Sequence, residues 1–474
     1  MREIQQLYID GAFVEPHGTE TVEMINPATE EVIGRARLGD AEDTRRAIAA
    51  AKRAFPVFSR TGKEERLGML RRLQEAVLAR ADDLREATLA EYGGPYARAS
   101  WTARYAASAF QDAAETLAGY ALSRSVGAST VVMDPVGVAA LITPWNSSAG
   151  SLCSKLAMAV AAGCTCVIKP SEMSALQTQI VTEALHAAGL PEGVFNVVAG
   201  RGEEVGGALS ESPDVAKISF TGSTATGKAI LRAAAGTLKR VSLALGGKSP
   251  TILLEDADLA EAVPFSLQAA FQNNGQACIA GSRLLVPRAR LAEVLARVRE
   301  GVAAMKVGDP RDPATTLGPL ASAAQVARVQ RYIRLGLEEG ATLVTGGEGR
   351  PEGLTRGYFV RPTVFADVRS EMAIAREEVF GPVLAILTYE GEEEAIQLAN
   401  DSDFGLQAYV FSASVPRARA VAMRLQAGRV LVNGLHHDPL APFGGFKQSG
   451  IGREFGVLGL ESFLEPKAIL GPGA

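Results

Sequence analysis

The segment Asn273 to Ser282, NNGQACIAGS, sets Cys278 among small and neutral residues. A thiol is a useful nucleophile only as the thiolate, and its ordinary pKa is about 8.5. No His or Lys stands beside Cys278 to take the proton, so help has to come from residues distant in the chain. FTGSTATGKA, Phe220 to Ala229, follows a strand-like run and opens a helical one, which would turn backbone N–H groups toward an anion. It nearly matches a P-loop through Gly222, Gly227 and Lys228, but Ala229 lacks the hydroxyl needed to hold Mg²⁺. VIKPSE, Val167 to Glu172, is a strand followed at once by Lys169 and Glu172, which could both face a ribose; an ion pair at a strand end is the plainer alternative.

The elements that must carry these segments alternate. From Val136 to Leu245 the order is VGVAALIT (strand), LCSKLAMAVAAG (helix), CTCVIK (strand), ALQTQIVTEALHAAG (helix), VFNVV (strand), a short helix, VAKISF (strand), GKAILRAAAG (helix) and RVSLAL (strand). Such alternation predicts a parallel sheet of βαβ units, with ligands at its carboxyl edge. A second alternating series runs from Pro250 to about Gly434, and helical spacing covers 41–55, 64–90 and 100–120. The fold class is therefore α/β with two Rossmann-like parallel-sheet domains. The segment Ser123 to Asp134 and the tail Glu461 to Leu470 read as short strands outside both series.

The 474 residues exceed one compact core, and 47% hydrophobic with 21% charged residues is ordinary globular composition. With 48 basic and 53 acidic side chains the net charge is −5, which gives no electrostatic reason to expect nucleic acid or an acidic membrane. Small molecules are the expected partners. The N-terminal MREIQQLYIDG is polar where a signal peptide needs an apolar core, so a cytoplasmic location is expected. Four cysteines make no disulfide framework, and no metal site is expected, since zinc-ligand spacing is missing.

Seven segments in order complete the pattern: TPWN at 143–146, IKPSE at 168–172, FTGST at 220–224, LGGKSP at 245–250, GQACIAGSR at 275–283, EEVFGPV at 377–383 and PFGGFKQSGIGRE at 442–454. Together they resemble the NAD(P)-dependent aldehyde dehydrogenase superfamily over essentially the whole chain. The resemblance implies a coenzyme-binding domain (1–121 and 138–245), a catalytic domain (246–446) and a small β oligomerisation element (122–137 and 447–474), assembled as a homodimer or homotetramer. It implies that Cys278 attacks the aldehyde and that the Asn146 amide and the Cys278 N–H hold the oxyanion. It also places Thr143, Pro144, Trp145, Lys169, Ser171, Glu172, Gly202, Phe220, Gly222, Ser223, Leu245, Gly246, Glu378 and Phe380 around the coenzyme. A carboxylate at Glu172 accepts bonds from ribose hydroxyls and repels a 2′-phosphate, so NAD is expected over NADP unless Glu172 swings away.

One position departs from the pattern. Relatives that hydrolyse their thioester carry Glu just before Leu-Gly-Gly-Lys, whereas this chain has Ala244, which can neither accept a proton nor order a water. General-base help is worth about 10²–10⁴-fold, and its loss should fall on acyl release. The surrounding match to the hydrolytic pattern favours an engineered replacement that traps the acyl-enzyme. A natural enzyme using Glu454 and Lys155 as its relay, and a coenzyme A-dependent acyl transferase, are the alternatives. A nucleotide-binding protein of the same fold without turnover is a further one, disfavoured by the retained Cys278 and Asn146.

On the substrate side the resemblance points to Ser147, Ser151, Ser154 and Phe443, with His436 and His437 on the preceding loop. Serines in place of bulky tunnel residues imply a bulky aldehyde, aromatic or hydroxylated. No Arg or Lys stands out as a clamp for a substrate carboxylate, which argues against semialdehyde acids.

Overall fold

The computed structural model describes residues 2–436 and 438–471. His437, expected at the substrate loop, lies outside the described residues.

The first alternating series builds the centre of an eight-stranded sheet. Its five parallel strands run Arg240–Ala244, Val215–Thr221, Val138–Ile142, Thr165–Lys169 and Phe195–Val197 across the sheet. The chain starts in the middle at Val138–Ile142, winds outward one way and then returns to wind the other way. The reversal falls between Val138–Ile142 and Val215–Thr221, so the loops leaving their carboxyl ends, at 143–147 and 222–223, diverge and leave a crevice. The strands Thr165–Lys169 and Val138–Ile142 are buried along their whole length, as a sheet covered on both faces requires. The helix Ser148–Ala162 is apolar around most of its circumference and buries Leu152 and Leu156 completely, each worth roughly 1.5–3 kcal/mol.

The second series forms a seven-stranded sheet in which six strands are parallel: Thr363–Ala366, Val383–Tyr389, Arg283–Pro287, Pro250–Leu253, Gln407–Phe411 and Arg429–Val432. Thr342–Thr345 adds an antiparallel edge.

The structure differs from the sequence expectations at the margins. Both sheets are mixed, because Leu7–Ile9, Ala12–Val14 and Gly450–Ile451 add antiparallel strands to the first. The helical stretch at 64–90 is broken into Lys63–Leu78 and Ala81–Ala87, followed by a π turn at Thr88–Tyr92. The third segment does not form one unit from 447 onward: Gly450–Ile451 pairs with Leu243 and Ala244, and only Leu464–Ile469 joins Ser123–Val126 and Ser129–Pro135 in a small separate sheet. Among the described residues no helix is long and apolar enough to cross a membrane.

Candidate active site

Five of the expected coenzyme segments leave the carboxyl edge of the first sheet. Thr143, Pro144 and Trp145 follow Val138–Ile142, and Ser171 and Glu172 follow Thr165–Lys169, whose last residue is Lys169. Gly202 opens the short helical stretch after Phe195–Val197. Phe220 lies in Val215–Thr221, with Gly222 and Ser223 just beyond it, and Leu245 and Gly246 follow Arg240–Ala244. Lys169 Nζ lies 3.5 Å from Glu172 Oε2 and donates to the Pro170 carbonyl at 3.1 Å. Burial pulls the Lys169 pKa below its ordinary value despite that carboxylate. Arg201 reaches Glu172 from the other side at 3.4 Å, a partner that the sequence did not reveal. Ser223 Oγ accepts from the Thr226 N–H at 3.1 Å and so caps the helix Thr224–Ala235. Lys228, the residue that suggested a P-loop, instead donates to Gln448 Oε1 at 2.6 Å.

Glu378 arrives from the second domain. Its Oε1 accepts from the Gly247 N–H at 3.0 Å, and a β-carbon on Gly246 would lie 2.5 Å from its Oε2, so only glycine admits the carboxylate there. Burial raises the Glu378 pKa. Arg328 holds the Glu378 and Val379 carbonyls. Phe380 has φ +60° and sets its ring edge-on to Trp145, with centroids 5.5 Å apart.

The cysteine loop is built by side chains bonded to main chain. Asn273 and Asn274 occupy the left-handed region, with φ 56° and 59°, which asparagine tolerates better than most residues. Gly275, at φ +72°, packs so tightly on the Gly381–Pro382 peptide that no β-carbon fits. Asn274 Nδ2 donates to the Gly93 and Pro319 carbonyls at 3.2 and 3.0 Å, while its Oδ1 accepts from the Gly318 N–H at 2.8 Å. Tyr92 donates to the Asn273 carbonyl at 3.1 Å and accepts from Gln276 Nε2 at 3.2 Å. Tyr92 is itself placed by its neighbour Glu91, whose buried carboxylate accepts from the Leu176 and Gln177 N–H groups at 2.6 and 3.2 Å.

Asn146 meets this loop directly. Its Nδ2 donates to the Gln276 carbonyl at 2.8 Å, and Asn273 Nδ2 donates back to the Asn146 carbonyl at 3.0 Å. One hydrogen of the Asn146 amide is thereby used to fix its direction, and the second is left for an oxyanion. Cys278 is half-buried, while Cys153, Cys164 and Cys166 are fully buried. Burial, and then the nearby Glu378 carboxylate, push the Cys278 thiol up to about 12.

Cys278 and Asn146 open on a cavity of about 280 Å³ that also receives Ser147, Ser151, Ser154, Phe443 and Glu454. His436 lines it too. The serines do not simply leave the tunnel wide: Trp101, Tyr105 and Phe455 supply aromatic walls from other elements, with Trp101 and Tyr105 stacked at 5.0 Å. No Arg or Lys stands out in the sequence as a carboxylate clamp, but Arg98 and Arg429 both line the cavity. Neither was legible, because one sits on the helix Tyr96–Gly119 and the other at the start of the strand Arg429–Val432, with no local motif around them.

Ala244 ends its strand in register with Thr221, another lining residue, so the two side chains share a face. Behind them Lys155 pairs with Glu454 Oε1 and donates to Ser219 Oγ at 2.9 Å, while Ser219 donates to Glu454 at 3.3 Å. Glu454 is the one carboxylate among the described lining residues.

The chain matches the aldehyde dehydrogenase family over residues 13–469. A 3-succinoylsemialdehyde-pyridine dehydrogenase from a Pseudomonas species is 46% identical over 473 residues, covering 99% of both chains. A mutant of aldehyde dehydrogenase C from Pseudomonas syringae, in complex with NAD⁺ and octanal, superimposes with a TM-score of 0.97 at 46% identity, covering 99% of this chain and 98% of the other. An aldehyde dehydrogenase from Mycobacterium tuberculosis in complex with NAD⁺ gives 0.96 at 41% identity, covering 99% and 98%. The chain belongs to the aldehyde dehydrogenase family and is an oxidoreductase of that class.

Proposed function

We propose that this protein oxidises a bulky, ring-bearing aldehyde with NAD⁺ through a thiohemiacetal and then a thioester on Cys278. The observation that supports this most is the meeting of Cys278 and the oriented Asn146 amide at a cavity walled by aromatic rings and serines. One similar protein supports the ring, being named for 3-succinoylsemialdehyde-pyridine, whereas another holds octanal, a long ringless aldehyde, and supports only an extended substrate.

The coenzyme fits the residues present. Thr143 Oγ1 is buried without a hydrogen-bond partner at the crevice, and Glu172 and Glu378 stand where ribose hydroxyls could donate to them. When bound, NAD⁺ supplies the hydride acceptor and a positive charge that favours the thiolate. Arg201 beside Glu172 tempers the repulsion of a 2′-phosphate, so the preference for NAD is one of degree.

Each further step falls to the protein's own groups. The Cys278 thiol first gives up its proton to water in the cavity; the resulting thiolate adds to the aldehyde carbon, and the Asn146 amide and the Cys278 N–H receive the oxyanion, each donor being worth about 2.7–4 kcal/mol. Loss of hydride leaves the thioester. The methyl of Ala244 cannot activate water, and Glu454 is tied back by Lys155 and Ser219. Acyl release is the slow step. The three-stranded sheet of Ser123–Val126, Ser129–Pro135 and Leu464–Ile469, whose two outer strands are largely exposed, is the surface through which we propose a homodimer or homotetramer forms.

Rapid mixing with NAD⁺ and an aromatic aldehyde tests this reading. NADH fluorescence should rise by about one equivalent per site and then slow by roughly 10²–10⁴-fold. Fast turnover without a burst would refute slow acyl release, and acceleration of the slow phase by coenzyme A would point to acyl transfer.

A further inference from the structure

Two cations line the substrate cavity, Arg98 and Arg429, and among the described residues neither forms an ion pair with a carboxylate. Arg98 is half-buried on the first turn of the helix Tyr96–Gly119, and no ion pair joins it to any described acid. Arg429 spends Nε and Nη2 on the carbonyls of Pro442 and Ala441, at 3.0 and 2.6 Å, and lies 5.1 and 5.6 Å from the ring centroids of Phe443 and Phe455. Carbonyls and rings orient a guanidinium but do not cancel its charge, and burial lowers the Arg429 pKa accordingly. The charges facing these two groups are few. Glu454 is matched by Lys155, the exposed Asp438 carboxylate acts on Arg429 without pairing with it, and the Tyr105 hydroxyl feels Arg98, Arg429, Cys278 and Glu454 together. The cavity lining therefore sets two guanidiniums against one carboxylate that Lys155 already matches, in company with the stacked pair Trp101 and Tyr105 and the rings of Phe443 and Phe455.

We infer that the substrate is an aromatic aldehyde bearing a carboxylate, with its ring held between these side chains and its acid group facing Arg98 and Arg429. Guanidinium is the side chain best matched to a carboxylate, and one taken from water into this cavity gains more from a cation than it would at the surface. The inference rests on the aldehyde-oxidising reading above and names the substrate class of that same site. Arg98 is the specificity residue. Arg429 also holds the 438–442 turn, so its replacement would confound binding with loop order.

The test compares 4-formylbenzoate with its methyl ester, which keeps the ring and aldehyde and removes the charge. The rate of the NADH burst at low substrate should favour the acid by about tenfold or more, and added salt should erode that preference. In Arg98→Met the acid-to-ester ratio should fall toward one, and Arg98→Lys should keep part of it. Terephthalate, which cannot react, should bind to the unmodified enzyme by calorimetry and lose about tenfold or more in affinity in Arg98→Met. An acid-to-ester ratio near one in the unmodified enzyme, or a ratio unchanged by Arg98→Met, overturns the inference. Absence of NADH from acid, ester and every neutral aldehyde overturns the aldehyde-oxidising reading instead.

Discussion

The two sheets bring opposite edges to the same site. The first presents its carboxyl edge, where loops leave the strands at 143, 170, 222 and 245. The second presents its amino edge: the cysteine loop runs into the strand Arg283–Pro287, Glu378 and Phe380 run into Val383–Tyr389, and Gln407 and Arg429 begin their own strands. The edges also differ in construction. The carboxyl edge is made of loop backbone with glycines at 222 and 246, packed on Phe220 and Glu378, and suits a ligand that brings its own phosphates and hydroxyls. The amino edge is over-determined, with Asn273, Asn274 and Gln276 all bonded to main chain or to Tyr92. A nucleophile has to be held within a fraction of an ångström, whereas a coenzyme can settle into a crevice. Ala244 lies on the first sheet's edge, so the slow acyl release proposed for it would arise on the side that does not hold the sulfur.

This contrast predicts separable defects. The largest change expected is a gain: Ala244→Glu should raise steady turnover by about 10²–10⁴-fold while leaving the burst amplitude near one, as measured by stopped-flow fluorescence. A gain confined to the burst would place the defect on the cysteine side. Next, Asn146→Ala should slow the burst itself by about 10²–10³-fold, because the oxyanion loses a donor whose direction the Gln276 carbonyl had fixed. If only the slow phase changed, Asn146 would belong to acyl release. Smallest, Tyr92→Phe should lower unfolding stability by about 1–3 kcal/mol in a denaturant titration, since the Asn273 carbonyl and Gln276 Nε2 both lose a partner in a buried place. The same variant should leave coenzyme affinity unchanged if the two edges are as independent as their construction implies.

Much of this was legible from the chain. The alternation from Val136 to Leu245 announced the parallel strands because each is a short apolar run bounded by turns. The antiparallel strands Leu7–Ile9, Ala12–Val14 and Gly450–Ile451 were not legible, since two or three residues are too few to show a period. In the site, Cys278 and its loop stood out by composition. The pairing of Lys155 with Glu454, 299 positions apart, could be suspected only through the resemblance. Trp101, Tyr105, Arg98 and Arg429 escaped because they lie on regular elements whose helical or strand pattern they do not disturb. Their role is fixed by which element packs opposite them, which is a tertiary fact.

Trapping the acyl-enzyme tests the central claim most directly. The protein is mixed with NAD⁺ and an aromatic aldehyde, quenched in acid within the burst, digested and measured by mass spectrometry, with Cys278→Ala as the control. The peptide containing Cys278 should carry the mass of one acyl group in near-stoichiometric amount, and the control should carry none and form no NADH. An unmodified Cys278 peptide alongside undiminished NADH production, or equal NADH production by Cys278→Ala, would contradict a thioester held at this sulfur.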